Sequence, residues 1–220
     1  MSAAGSPERL KITEIFHSLQ GEADSVGQPT VFVRLTGCPL RCQYCDTAYA
    51  FSGGEWMSID AVVQRVRELA QRHVCVTGGE PLAQKACLRL LTRLCDAGFC
   101  VSLETSGAIP LAGVDPRVVK VVDVKTPASG EMHRNLYEQL ATSLTPQDQV
   151  KFVICDRADY EWSRDKAAEL GLLAVRNVLF SPSHEELPAR DLADWILADR
   201  LPVRLQIQLH KYLWGNTPGR

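Results

Sequence analysis

TVFVRLTGCPLRCQYCDT, residues 30–47, joins a β-branched apolar run to three closely spaced cysteines. The run TVFVRLT (30–36) has the composition of a buried strand, and it stops at Gly37, directly before the first cysteine. Cys38, Cys42 and Cys45 are separated by three and by two residues, so one tight loop at the end of that strand can aim three sulfurs into one place. Thiolates at such spacing hold iron–sulfur clusters. A closed structural zinc site needs a fourth nearby ligand, and the nearest histidines, His17 and His73, lack zinc-ribbon spacing. Core packing is a poorer account still, because Arg41, Gln43 and Asp46 make the loop polar. Three ligands on a four-iron cluster leave one iron open, the mark of a reactive rather than a closed centre.

Outward from this loop, strands are expected at 73–77, 100–103, 118–124, 150–154, 178–180 and 203–207. Helices are expected after Ser58, with Val62, Val63, Val66 and Leu69 on one face, and at 88–97, 135–141, 158–170 and 187–198. Regular alternation implies right-handed β-α-β crossovers and a parallel sheet. The 220 residues are short for the roughly 250 of a closed eight-unit barrel, so the fold class read here is α/β, a partial (β/α)6-type barrel. A single domain over 1–220 is expected, with flexible termini at about 1–8 and 215–220.

Lys plus Arg number 24 against 26 Asp plus Glu, and no basic patch stands out, which argues against a direct grip on nucleic acid. The first ten residues lack the apolar core of a signal peptide, and no later run is long enough to span a bilayer, so a soluble, cytoplasmic protein is expected. Its eight cysteines are then not disulfide partners. Cys75, Cys87, Cys95, Cys100 and Cys155 lie in apolar stretches and read as buried packing residues, while His133 and His184 read as solvated. Lys125 and Lys151, beside strand ends, divide evenly between structural and functional readings.

The cysteine spacing resembles that of the radical S-adenosylmethionine superfamily. That resemblance implies an open iron chelating the amino and carboxylate groups of S-adenosylmethionine, and reductive cleavage to a 5′-deoxyadenosyl radical. It places Tyr44 near the adenine. Two further segments fit it: TGGEP (77–81), whose glycines let backbone approach a ligand closely, and LETSG (103–107), whose Glu104, Thr105 and Ser106 can bond ribose or carboxylate oxygens.

Both ends of the chain narrow the resemblance. EIFHSLQGEA (14–23) brings Gln20 and Glu22 before the first strand, and QIQLHKYLWGN (206–216) puts a His-Lys-Tyr cluster after the last. Together they resemble the 7-carboxy-7-deazaguanine synthase family, which converts 6-carboxy-5,6,7,8-tetrahydropterin with loss of ammonia and requires Mg²⁺. The resemblance implies a pterin site at Leu19, Gln20, Gly21, Glu22, Thr77 and His210, with Arg34 taking the substrate carboxylate in a bidentate pair. It implies that Cys38, Cys42 and Cys45 hold the [4Fe–4S] cluster and that Thr47 ligates Mg²⁺. Around S-adenosylmethionine it implies Tyr44, Cys45, Asp46, Gly79, Glu80, Glu104, Asp123, Val124 and Lys125. Glu22, Lys125 and His210 are the candidates for proton transfer. An external reductant such as flavodoxin and a homodimer are implied as partners.

The sequence departs from the family pattern at Ala23, where many members have glycine, at Val122-Asp123-Val124-Lys125, at Ser181-Pro182-Ser183-His184, and in continuing past Trp214. Two other readings of the cysteine loop are a glycyl-radical activating enzyme, which would not need Gln20, Arg34, Thr47 and His210, and a noncatalytic iron–sulfur module.

Overall fold

The computed structural model describes residues 8–175, 177–217 and 219. Strands β1 (Arg9–Leu19), β2 (Pro29–Leu35) and β3 (Glu55–Ser58) come first, followed by α1 (Ile59–Glu68), β4 (His73–Gly78), α2 (Cys87–Asp96) and β5 (Cys100–Thr105). Then come β6 (Val119–Val124), α3 (Glu138–Thr142), β7 (Gln149–Ile154), α4 (Arg157–Glu169), α5 (Leu172–Val175), β8 (Asn177–Pro182), α6 (Ala189–Ala198), β9 (Arg204–Leu205) and α7 (Leu209–Trp214). All strands form one sheet in the order β3-β1-β2-β4-β5-β6-β7-β8-β9. From β2 to β9 every neighbour is parallel, and the two edges, β3 and β9, do not meet. The sheet is therefore an open arc, in agreement with the expected partial barrel.

Side-chain parity turns this arc into a wall with two uses. Val31, Val33 and Leu35 of β2, Val74 and Val76 of β4, Val101 and Leu103 of β5, and Val122 and Val124 of β6 all join the hydrophobic core. Val150, Phe152 and Ile154 of β7 continue the pattern. Helix α1 meets that core with Ile59, Val62, Val63 and Val66, and α2 with Cys87, Leu90, Leu91 and Leu94, each a helical stripe. The Ser58 side chain accepts from the Ala61 amide and caps α1 as expected. Residues of the opposite parity, among them Phe32, Arg34, Thr77, Glu104, Asp123 and Lys151, face a cavity on the concave side.

Several expectations need correction. The strand expected at 30–36 is not the first: β1 precedes it and pairs antiparallel with both β2 and β3, extending the sheet beyond its parallel part. A β-bulge between Ile12 and Glu14 interrupts the alternation by which a strand would be recognised. The expected strand 203–207 contracts to Arg204–Leu205, and the expected helix 135–141 is a 3₁₀ turn (Met132–Arg134) followed by the short α3. Cys75 and Cys87 are fully buried, but Cys95, Cys100 and Cys155 are only partly so. Of the termini expected to be flexible, residues 1–7, 218 and 220 lie outside the described residues. Among the described residues, no helix is long and apolar enough to cross a membrane.

Ala23, the departure from glycine noted above, has φ +63°, the left-handed region that an L side chain enters at a cost of about 1–3 kcal/mol. Its methyl is buried, so replacing it also removes apolar contact of roughly 0.8 kcal/mol. The strain outweighs the contact. Ala23→Gly is expected to unfold at the same urea midpoint or at one corresponding to up to about 1 kcal/mol more stability. A loss of more than about 1 kcal/mol would show that the turn is not strained.

Candidate active site

The cysteine loop is fixed by the strand ends on either side of it. Gly37, at φ +98°, donates its amide to the Ala50 carbonyl at 2.8 Å, and its own carbonyl accepts from the Glu80 amide at 2.9 Å. Gly79 donates to the Leu35 carbonyl at 3.2 Å. The paired glycines of TGGEP allow this approach: a Cβ on Gly78 would sit 2.3 Å from the Leu35 oxygen, and one on Gly79 2.3 Å from the Gly37 oxygen and 2.7 Å from Cys38 Cβ. The sequence suggests close approach to a ligand; the structure shows close approach to the cysteine loop itself. Within the loop, Arg41 Nη1 donates to the Cys38 and Leu40 carbonyls at 2.8 and 2.6 Å, its guanidinium lies 4.3 Å from the Phe51 ring centroid, and Leu40 is buried beneath.

Cys38, Cys42 and Cys45 all line one cavity of about 490 Å³. Burial raises the Cys38 thiol and pushes that of Cys42 up to about 11, against the pull of Lys125. Taking up iron therefore releases protons from them. No three His, Cys, Asp or Glu side chains among the described residues gather around a single-ion point. A four-iron cube takes each thiolate on a different corner, so its three sulfurs stand wider apart than around one ion.

Beside the cysteines, two buried polar atoms have no hydrogen-bond partner among the described residues: the Tyr44 hydroxyl and Asp123 Oδ1. The other Asp123 oxygen takes Lys125 Nζ at 3.0 Å, and Lys125 Nζ lies 5.7 Å from the Tyr44 ring centroid. Burial opposes the Lys125 charge, but Asp123 and Tyr44 hold its pKa above the ordinary lysine value.

A second polar group continues from there along the wall. Lys151 Nζ contacts Glu22 Oε2 at 2.5 Å and Asp123 Oδ2 at 3.7 Å. Glu22 Oε1 accepts from Gln208 Nε2 at 2.7 Å, and Gln20 Oε1 accepts from the Glu22 amide at 3.3 Å. Gln20 Nε2 and the Thr77 hydroxyl each donate to Glu104, both at 3.2 Å. Helix α7 closes this side: Leu209 N donates to the Gly21 carbonyl at 3.0 Å, and Lys211 pairs with Asp46 at 3.3 Å. Burial favours the neutral His210 imidazole. Burial works against the Asp46 charge, yet the Thr47 hydroxyl (2.7 Å) and Lys211 hold its carboxyl below the usual range.

Of the residues expected here, Gln20, Glu22, Arg34, Tyr44, Asp46, Thr47, Thr77, Gly79, Glu104, Asp123, Lys125 and His210 do line the cavity with the cysteines. Four do not. Val124 has the other parity and packs in the core, and Leu19 ends β1 away from the cavity. Gly21 contributes closeness instead, since a Cβ there would fall 2.0 Å from His210 Nδ1. Glu80 has no exposed surface, and its carboxylate accepts from Leu82 N, the Thr105 hydroxyl, and the amide and hydroxyl of Ser106. It braces the β4 and β5 ends. Lys151, Gln208, Lys211 and the 183–186 loop, including His184, also line the cavity. For Lys151 the available signal was its odd-numbered place beside Val150 and Phe152, which turns it away from the core.

An open sheet whose first parallel strand, β2, delivers three cysteines to a concave polar cavity defines a radical S-adenosylmethionine enzyme, and the sequence family described as "Radical SAM superfamily" matches residues 32–122. Proteins named 7-carboxy-7-deazaguanine synthase from Chlorobaculum tepidum and Koribacter versatilis are 45% and 47% identical to this chain, over 94% and 93% of it and 94% and 97% of their own lengths. The chain belongs to the 7-carboxy-7-deazaguanine synthase family. A crystal structure of QueE from Escherichia coli matches with a TM-score of 0.75 at 25% identity, covering 92% of this chain and 95% of that one.

Members of this superfamily use a [4Fe–4S] cluster and S-adenosylmethionine, and the residues present suit both. Three thiols supply all but one corner of a cluster, and the unpaired Tyr44 hydroxyl and Asp123 oxygen beside them are free to bond a polar cofactor. Gly79→Ala tests how far the site depends on close backbone approach. It is expected to lower stability by about 1–3 kcal/mol and to leave the reconstituted protein short of iron and sulfide. Full cluster content with an unchanged urea midpoint would show that the contact is dispensable.

Proposed function

We propose that this chain converts 6-carboxy-5,6,7,8-tetrahydropterin into 7-carboxy-7-deazaguanine with loss of ammonia, in the biosynthesis of 7-deazapurines such as queuosine. The observation that carries the reading is a single cavity holding the cysteine loop together with Gln20, Arg34, Thr47 and His210. A glycyl-radical activating enzyme or a noncatalytic iron–sulfur module has no use for that set, and neither is favoured by the relatives.

Reductive cleavage of S-adenosylmethionine at the cluster supplies a carbon radical to the substrate. The protein's own part is to bind, orient and manage protons. Arg34 takes the substrate carboxylate, while Gln20 and Thr77 meet the polar edges of the pterin, and Gly21 gives His210 the room to close on the site. On the cofactor side, Asp123, the unpaired Tyr44 hydroxyl, Gly79, Glu104 and Lys125 hold S-adenosylmethionine. His210, kept neutral by burial, is suited to accept a proton. Lys125, held charged by Asp123 and Tyr44, is a poor acid and serves by keeping a fixed positive charge beside the cofactor side of the cavity. Glu22, locked to Lys151 and Gln208, holds the substrate loop against the sheet. The Thr47 hydroxyl would ligate Mg²⁺, a hard ion that prefers oxygen, beside the Asp46 carboxylate. Family resemblance supports a cytoplasmic homodimer that draws electrons from a flavodoxin.

The test is an anaerobic assay of cluster-loaded protein with dithionite, S-adenosylmethionine and the carboxylated tetrahydropterin, with Mg²⁺ varied and the product followed by chromatography. The deazaguanine acid is expected to form, and Thr47→Ala to need about tenfold more Mg²⁺. Release of 5′-deoxyadenosine without that product would overturn the substrate, and an unchanged Mg²⁺ response would remove Thr47 from the metal site.

A further inference from the structure

Arg34 does not stand alone in the cavity wall. Its Nε donates to Glu14 Oε1 at 2.7 Å, and the same oxygen accepts from the Tyr49 hydroxyl at 2.8 Å. The guanidinium carbon lies 5.8 Å from the ring centroids of both Phe16 and Tyr49. Nη1 and Nη2 have no partner among the described residues, while both side chains of the pair are largely sheltered, Arg34 at 15% and Glu14 at 23% exposure. Burial works against the Arg34 charge, and Tyr49 and Glu14 more than restore it. Tyr49, with its hydroxyl pushed up to about 12, remains a phenol able to donate.

The backbone is built to make this contact. Before the bulge, Leu10 and Ile12 point into the core, Ile12 pairing with Leu35. An unbroken strand would send Glu14 the same way, since it has the same parity. The bulge between Ile12 and Glu14 resets the register, so Glu14 pairs with Arg34 and Ile15 with Val33. Phe16 then pairs with Phe32 and stacks on it at 5.0 Å, on the cavity face. A half-buried carboxylate beside an arginine meant for an anion looks counterproductive on charge alone. Its use is geometric. A guanidinium can grip a carboxylate side-on, through Nε and one terminal nitrogen, or end-on, through both terminal nitrogens. With Nε engaged, only the end-on grip is left.

We propose that Glu14, set by the β-bulge and steadied by Tyr49, is a positioning residue that fixes Arg34 for end-on capture of the substrate carboxylate and so determines selectivity for carboxylated over uncarboxylated pterins. This rests on the reading of Arg34 as the carboxylate ligand. Tyr49 also lies two residues after Thr47, so the clamp is continuous with the loop that carries the cysteines.

The test compares binding of 6-carboxy-5,6,7,8-tetrahydropterin with binding of tetrahydropterin lacking the carboxylate. Cluster-loaded protein with S-adenosylmethionine and Mg²⁺ is titrated anaerobically without reductant, so that no turnover occurs. Glu14→Ala is expected to reduce the preference for the carboxylated ligand about tenfold, the worth of one charge-assisted hydrogen bond, and to change tetrahydropterin binding by less than about threefold. Glu14→Gln, whose amide oxygen still accepts from Nε and from Tyr49, should keep the preference within about threefold of the parent. Tyr49→Phe, at a half-exposed position where folding is not at stake, should lower it about threefold. A merely structural role for Glu14 would weaken both ligands alike. If Arg34→Ala abolishes the preference while Glu14→Ala and Tyr49→Phe retain it, the positioning role is overturned and the reading of Arg34 survives. If Arg34→Ala retains the preference, that reading falls and the positioning role with it.

Discussion

The amide of Glu80 donates to the Gly37 carbonyl at the head of the cysteine loop, while its carboxylate, wholly removed from solvent, accepts from Leu82, Thr105 and Ser106. One residue thus joins three strand ends: β2, which delivers the cysteines, β4, which ends two residues before it, and β5, which supplies Glu104. Hydrogen bonds to a buried charge are worth about 1.5–3 kcal/mol each, and removing the acceptor strands every donor it served. The glycines before it serve the same junction from the other side, since no side chain fits where Gly78 and Gly79 meet Leu35 and Gly37. The cavity has its shape because this junction cannot relax.

Charge in the cavity is organised in the same economical way. Each lysine and arginine lining the cavity has a carboxylate in contact: Lys125 with Asp123, Lys151 with Glu22 and Asp123, Arg34 with Glu14, Lys211 with Asp46. For the most sheltered pairs, Lys125 with Asp123 and Lys151 with Glu22, removing one partner costs about 3–5 kcal/mol, because the other charge is left buried alone. Asp123 and Lys151 are register neighbours on β6 and β7, which ties the Asp123–Lys125 pair beside the cysteines to the Lys151–Glu22 pair. Helix α7 completes the link through Gln208 and Lys211, so the C-terminal segment contacts both the Glu22 loop and the cysteine loop.

The parallel strands were legible in the sequence because burial on the helix face imposes a strict alternation of Val, Leu, Ile and Phe. The same alternation makes Asp123, Lys125 and Lys151 conspicuous, as charges interleaved with core residues. What was illegible depends on events outside the local pattern. A single bulge reverses the parity of β1 in mid-strand, concealing both the strand and the role of Glu14. Val124 was misplaced by treating a motif as contiguous when only alternate residues face the cavity. Glu80 was misread because a motif glutamate looks like a ligand until its acceptors are seen to be saturated by protein donors. Ala23 shows the converse, for its departure from glycine is visible in sequence, but its left-handed backbone is visible only in the structure.

Cys38, Cys42 and Cys45 would hold a cluster with one iron left open, and the unpaired Tyr44 hydroxyl and Asp123 oxygen line the same cavity. The direct measurement is the electron paramagnetic resonance spectrum of the dithionite-reduced, reconstituted protein before and after addition of S-adenosylmethionine. An open iron that takes the cofactor changes its ligand field, so the g-values and line shape of the reduced cluster are predicted to shift on addition. A spectrum unaltered by saturating S-adenosylmethionine would mean that the fourth iron is already closed and would contradict the account at its root.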